Sequence, residues 1–153
     1  METENHKTYS EEETIELGRD FAKKLKPGDV VVFFGDLGSG KTEFIKGICD
    51  YFEVEEIVTS PTFTIMNQYS GNIGDKEITI FHIDLYRIKS NEELEEIGFR
   101  ECIYAKNAIK LVEWAEKAES KLPDNKYVVT IKLDNENENL RKFDIINEYK
   151  IEA

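Results

Sequence analysis

Gly35-Asp36-Leu37-Gly38-Ser39-Gly40-Lys41-Thr42 sets four residues between Gly35 and Gly40, and Gly40 is followed at once by a lysine and a hydroxyl. That combination suits one kind of chemistry, the holding of a phosphate chain with magnesium. Glycines let a loop fold so that successive backbone N–H groups, here from Gly35 to Glu43, converge on one anion. A helix opening near Lys41 adds its unpaired N–H groups and the positive end of its dipole. Lys41 would reach the outer phosphates as a point charge, and the Thr42 hydroxyl would ligate the ion. A Gly-rich turn before a helix that happens to begin Lys-Thr is the plain alternative, but the flanking segments argue against it. An apolar run, Val30 to Phe34, leads in, and Glu43 to Phe52 has helical periodicity. Strand, Gly-rich loop and helix together make a P-loop.

Two carboxylates stand where a magnesium-nucleotide site needs them. The apolar segment Ile78 to Ile83 ends in Asp84, and Ala108 to Val112 runs into Glu113 and Trp114. Open α/β sheets bind ligands at the carboxyl ends of their strands, so Asp84 and Glu113 are candidates for the ion and the attacking water. A helix-capping or salt-bridging aspartate is the alternative for Asp84. His82 reads as a packed strand histidine. Arg87 suits either developing phosphate charge or a surface ion pair. Thr59-Ser60-Pro61-Thr62-Phe63-Thr64 gathers small hydroxyl residues around a proline; these could face the γ-phosphate and magnesium, or simply make a turn.

The elements that must position these residues are legible in pattern. Ser10-Glu11-Glu12-Glu13 reads as a capping box that opens a helix with Ile15, Leu17, Gly18, Phe21, Ala22 and Leu25 on its apolar side, ended by Pro27-Gly28. Val30 to Phe34 is apolar throughout, as a strand buried on both faces of a parallel sheet should be. Phe44, Ile45, Ile48 and Phe52 form the inward stripe of the next helix. Ile65 to Tyr69 and Ile78 to Ile83 predict a hairpin with a mobile tip over 70–75. Ser90-Asn91-Glu92-Glu93 predicts a second capped helix with Leu94 and Ile97 inward and Gly98 as its stop. Ala115 to Leu122 reads as a helix before Pro123, and Tyr127 to Leu133 and Phe143 to Tyr149 as closing strands.

Composition bounds the rest. The 153 residues suffice for one domain, taken here as 1–153, and 40% apolar with 34% charged fits a globular chain. No apolar run nears the roughly 20 residues of a membrane span, and the acidic N-terminus is not a signal peptide. Cys49 and Cys102 are too few for a disulfide framework and read as reduced, buried thiols of a cytoplasmic protein. The net charge of −12 repels polyphosphate backbones, which disfavours direct, extensive nucleic-acid binding. A nucleotide site would be a local positive pocket in a negative field, and partners would present basic surfaces. Solubility alone is the competing account of the charge.

In order and spacing these motifs resemble those of the bacterial TsaE (YjeE) proteins, small P-loop ATPases of tRNA threonylcarbamoyladenosine synthesis. The resemblance runs through Leu17-Gly18, Gly28-Asp29, the P-loop, Lys46-Gly47, Ser60-Pro61-Thr62-Phe63, Tyr69, His82-Ile83-Asp84-Leu85-Tyr86-Arg87 and Glu113-Trp114, spanning residues 14 to 122. It implies an α/β fold, a P-loop NTPase-like three-layer sandwich with a parallel-cored sheet and antiparallel additions, binding ATP and Mg2+. It implies Lys41 on phosphate, Thr42 and Glu113 approaching the metal, Asp84 in a Walker-B-like position, and Ser60 and Thr62 in a switch-like loop. It implies partners too, the TsaD and TsaB proteins, which transfer the threonylcarbamoyl group to adenosine 37 of tRNA; tRNA is then met only through the complex. Two positions depart from the family pattern. Ser39 replaces the usual alanine and still offers its N–H, while Ala115 replaces a common proline and loosens the turn after Trp114.

The expected reaction is phosphoryl transfer to water with Lys41, Asp84, Glu113 and Thr62 as catalytic groups. The arginines, Arg19, Arg87, Arg100 and Arg141, are scattered. None is placed as a finger, which predicts slow turnover alone and activation by a partner or by loop closure. The same scatter argues against a small-molecule or nucleotide kinase, which needs an Arg-rich lid. A GTPase would carry an Asn-Lys-x-Asp motif, which is missing from the sequence. An ATP-dependent assembly factor with incidental hydrolysis is the non-enzymatic alternative.

Overall fold

The structure is a computed structural model, and it describes residues 2–35, 40–59 and 65–149. Seven strands form one sheet: β1 (Glu2–Thr8), β2 (Val30–Gly35), β3 (Met66–Ile73), β4 (Lys76–Asp84), β5 (Ala108–Glu113), β6 (Tyr127–Leu133) and β7 (Arg141–Asn147). Their order is β1-β7-β6-β2-β5-β4-β3. The four central strands, β6, β2, β5 and β4, are mutually parallel, and β3, β7 and β1 join antiparallel. A parallel core with antiparallel additions is the architecture the family resemblance implied.

Strand alternation sorts the core into two layers. On one face Val31, Phe33, Ile80, Ile109 and Leu111 meet α1 (Glu11–Ala22) and α2 (Lys41–Tyr51), burying Phe21, Phe44, Ile45, Ile48 and Phe52. On the other, Val30, Val32, Ile83 and Val112 meet α3 (Asn91–Glu96), α4 (Phe99–Ile103) and a 3₁₀ segment, Ala115–Lys121. Helices, sheet and helices make three layers.

Both predicted caps form. Ser10 Oγ accepts the Glu13 N–H at 3.1 Å and Ser90 Oγ the Glu93 N–H at 3.2 Å. In each the returning glutamate takes the N–H of the residue before the cap, Tyr9 or Lys89. Gly98, at φ +72°, ends the turn after α3 and opens α4, a helix of five residues too short to show a period.

Three segments and one cysteine differ from the sequence expectation. Glu2–Thr8 forms β1, which pairs with β7 residue for residue. Its polar residues carry no apolar alternation, because an edge strand is held by its backbone ladder. The hairpin is longer than read: β3 and β4 pair from Met66↔Ile83 to Ile73↔Lys76, leaving Gly74 and Asp75 as the turn, with Gly74 at φ +60°. Two-residue hairpin loops need such a positive φ. The segment after Trp114 is 3₁₀ with a break at Ala118 (φ −128°) and not the regular helix expected. Cys102 is half-buried beside Met66, whereas Cys49 is buried as expected, and both thiols are free. Among the described residues no helix is long and apolar enough to cross a membrane.

Candidate functional site

The carboxyl ends of β2, β4 and β5 meet at one edge of the sheet. Parallel pairing sets Phe33 beside Glu113, and Glu113 beside Asp84. Counting by twos from the core, His82 and Asp84 follow Ile80, and Glu113 follows Leu111; all three therefore stand on the face that α2 covers. Gly40, at φ +103°, turns the chain into α2 and brings Lys41 and Thr42 to that same end.

Lys41 is buried (6% exposed), and its Nζ donates to the carbonyl of Gly35 at 2.9 Å. The ammonium also lies 4.6 Å from the centre of the Trp114 ring. Trp114 adopts φ +57°, a conformation costly for a non-glycine residue, and packs its ring 4.9 Å from that of Tyr86. The turn after β5 thus folds back over the lysine.

Asp84 Oδ1 accepts the Tyr86 N–H at 2.9 Å. Burial pushes its carboxyl above the usual range and the charge of Glu113 adds to this, while the Tyr86 N–H, His82 and Lys41 act the other way. Glu113 is buried (3% exposed) and its Oε2 lies 2.7 Å from His82 Nε2. Two carboxylates on adjacent strand ends, one held up in pKa partly by the other, are a donor set that a divalent cation would relieve. Magnesium takes one or two carboxylates and completes its shell with phosphate and water oxygens, so Asp84, Glu113 and Thr42 fit it.

An open cavity of about 320 Å³ borders Gly40 on the side away from the carboxylates, lined by Ser10, Thr14, Glu43, Asn139 and Arg141 among others. Sequence gave no signal for Asn139 and Arg141; they reach Gly40 only because β6 and β7 lie beyond β2 in the sheet.

Of the residues singled out in the sequence, Gly35, Gly40, Lys41, Thr42, Glu43, Asp84 and Glu113 are gathered at this end. Asp36, Leu37, Gly38, Ser39, Ser60 and Thr62 lie outside the described residues. The approach to residues 60–64 is described: Asn67 and Tyr69 both donate to the Thr59 carbonyl at 3.2 Å. His82 is packed in its strand as read, and its pairing with Glu113 is the contact the sequence reading missed. The available signal was its parity with Asp84, two residues on.

The family model described as "Threonylcarbamoyl adenosine biosynthesis protein TsaE" matches residues 8–150. This chain belongs to the TsaE family. A relative from Rickettsia bellii, named tRNA threonylcarbamoyladenosine biosynthesis protein TsaE, is 40% identical over 141 residues, 92% of each chain. One of the same name from Treponema pallidum is 39% identical over 124 residues, 81% of this chain and 86% of the relative. The crystal structure of Bacillus subtilis YdiB superposes with a TM-score of 0.76 at 29% identity, covering 96% of this chain and 86% of that one. The match to the TsaE family model takes in the P-loop, Asp84, Glu113 and the strands beyond them.

Proposed function

We propose that this TsaE-family chain is the ATP-binding and ATP-hydrolysing component of the machinery that makes N6-threonylcarbamoyladenosine at position 37 of tRNA, acting with TsaD and TsaB to sustain turnover. One observation carries the catalytic half: a buried lysine at the head of a P-loop helix, with Asp84 and Glu113 on the same sheet face. The family carries the biological half.

In this reading the loop N–H groups and Lys41 bind the phosphates, and the lysine exchanges the Gly35 carbonyl for a phosphate oxygen. Thr42 and Glu113 hold magnesium, with Asp84 close by to orient the attacking water. The ion, when bound, offsets charge that develops on the transferred phosphoryl group. Thr62 and Ser60, outside the described residues, are assigned to the γ-phosphate by the family resemblance alone. The cavity beside Gly40 takes the ribose and base. The segment after β4 leaves Arg87 exposed and without an ion pair among the described residues.

The test is ATP hydrolysis by the protein alone and with TsaD and TsaB, wild type beside Lys41→Ala. Slow turnover alone, with strong stimulation that Lys41→Ala abolishes, is the expected result. Turnover of tens per second by the isolated protein would refute partner activation, and a lack of stimulation would favour an acceptor kinase. Retained stimulation of the complex by Lys41→Ala would favour the assembly-factor reading.

A further inference from the structure

His82 is the one buried titratable group of the site that the reading above leaves without a task. It is fully buried (0% exposed), its Nε2 lies 2.7 Å from Glu113 Oε2, and Nδ1 has no partner among the described residues. The Tyr69 ring stands beside it, 6.2 Å between centres.

That geometry decides where the proton is. If Glu113 were the donor to Nε2, the neutral ring would carry its hydrogen on Nδ1. That case buries an N–H with nothing among the described residues to accept it, which native structures avoid more strictly than an idle acceptor. The contact therefore has the His82 Nε2–H donating and the Glu113 carboxylate accepting. A hydrogen bond to Oε2 restrains the carboxylate and with it the direction of Oε1. Lys41 and Asp84 stand at this same end of the sheet, so that direction bears on the ion.

We propose that His82 is a positioning residue, a donor that fixes the Glu113 carboxylate so that its second oxygen meets the nucleotide-bound magnesium. This rests on the nucleotide reading of the site. Outer-shell donors to a metal ligand commonly affect metal affinity by about 10- to 100-fold. A glutamine at 82 places an amide N–H near the position of Nε2, whereas asparagine stops short of it and alanine offers nothing.

The test titrates Mg2+ into protein with bound ADP by calorimetry, and separately measures ADP affinity in EDTA, for wild type, His82→Ala, His82→Asn and His82→Gln. His82→Ala and His82→Asn should lose about 10-fold or more in Mg2+ affinity, with ADP affinity in EDTA within about threefold of wild type. His82→Gln should recover most of the Mg2+ affinity. Wild-type Mg2+ affinity in His82→Asn would overturn the proposal, as would equal losses in His82→Gln and His82→Asn. Parallel losses of Mg2+ and metal-free ADP binding would also overturn it, showing a packing role. Should His82→Ala fail to fold, the Gln and Asn pair decides alone. If wild type itself binds no Mg2+ with ADP, the nucleotide reading fails and this assignment falls with it.

Discussion

Lys41 is held between the Gly35 carbonyl and the face of Trp114, so its ammonium is already stripped of most water before it meets an anion. A cation on an aromatic face gains about 0.5 to 2 kcal/mol. Trp114 is the sole tryptophan, which makes the contact observable: Mg-ADP should shift or quench the intrinsic fluorescence of wild type, and Lys41→Ala should show neither. An unchanged emission in wild type would mean that Lys41 stays on Trp114 throughout. A second lysine, Lys110, is fully buried at the other end of β5, donating to the carbonyls of Gly28 (2.9 Å) and Ala105. Burial lowers its ammonium to about 8, against weaker opposing effects of Asp29 and Cys102. The folded value lies below the unfolded one, so between about pH 8 and 10.5 the unfolded chain binds the extra proton. The contribution of Lys110 to stability therefore rises with pH across that window and is lost as pH falls through 8. Buried Cys49 and half-buried Tyr149, both raised by desolvation, act in the opposite sense at alkaline pH, so the comparison must be a difference. Wild type should gain about 2–3 kcal/mol on Lys110→Met between pH 8 and 10.5 in urea unfolding. Parallel curves would show that the buried lysine stays charged.

The P-loop helix is positioned by its partner α1 through two glycines that face opposite ways. A methyl carbon at Gly18 would lie 2.1 Å from the Phe44 carbonyl oxygen, and one at Gly47 would lie 2.0 Å from that of Ile15. Both obstacles are backbone, so no side chain can yield, and the helices must separate. Gly18→Ala and Gly47→Ala should each cost about 2–3 kcal/mol, in the range of overpacked cores, and lower the melting temperature by about 5–10 °C. Separation also moves the head of α2, so nucleotide affinity should fall at temperatures where the variants are still folded. A fully stable Gly47→Ala would contradict the close contact. These glycines could be read in the sequence only as positions of a motif, since nothing in Leu17-Gly18 or Lys46-Gly47 says what approaches them. Other elements were legible for a reason that can be named. β2 is apolar at every position because both its faces are covered, and α2 shows its stripe because only one side is. β1 was not legible because its strand is made by backbone pairing to β7, and Trp114 misled because its positive φ redirects the chain into a 3₁₀ segment. The site was legible where type and spacing carry chemistry, at Lys41, Asp84 and Glu113, and silent where it depends on sheet order, at Arg141 and Asn139.

Over the whole molecule the decisive quantity is charge. The net charge of −12 is spread over a surface whose ion pairs, such as Arg19 with Asp50 and Lys142 with Asp134, occupy only part of the acidic groups. Pairs of this exposed kind contribute little to stability, so the excess carboxylates act mainly through their long-range field. That field opposes tRNA directly and favours a protein that reaches tRNA through others, provided those others present basic surfaces. The two accounts of the acidity, docking and solubility, separate on salt. Charge-steered association weakens as ions screen it, with a Debye length of about 10 Å at 0.1 M and about 3 Å at 1 M. If the proposed partners are the right ones, binding of this chain to the TsaD–TsaB complex should therefore weaken at least about tenfold between about 0.05 and 0.5 M NaCl, mostly through a slower association rate. Reversing the clustered carboxylates Glu53, Glu55 and Glu56 to lysine should reduce that salt dependence if this patch faces the partner, and leave it intact if another does. Affinity that is flat across the salt series would assign the acidity to solubility, and the docking surface would then have to be apolar, with exposed Ile57, Tyr86 and Tyr104 the first residues to replace.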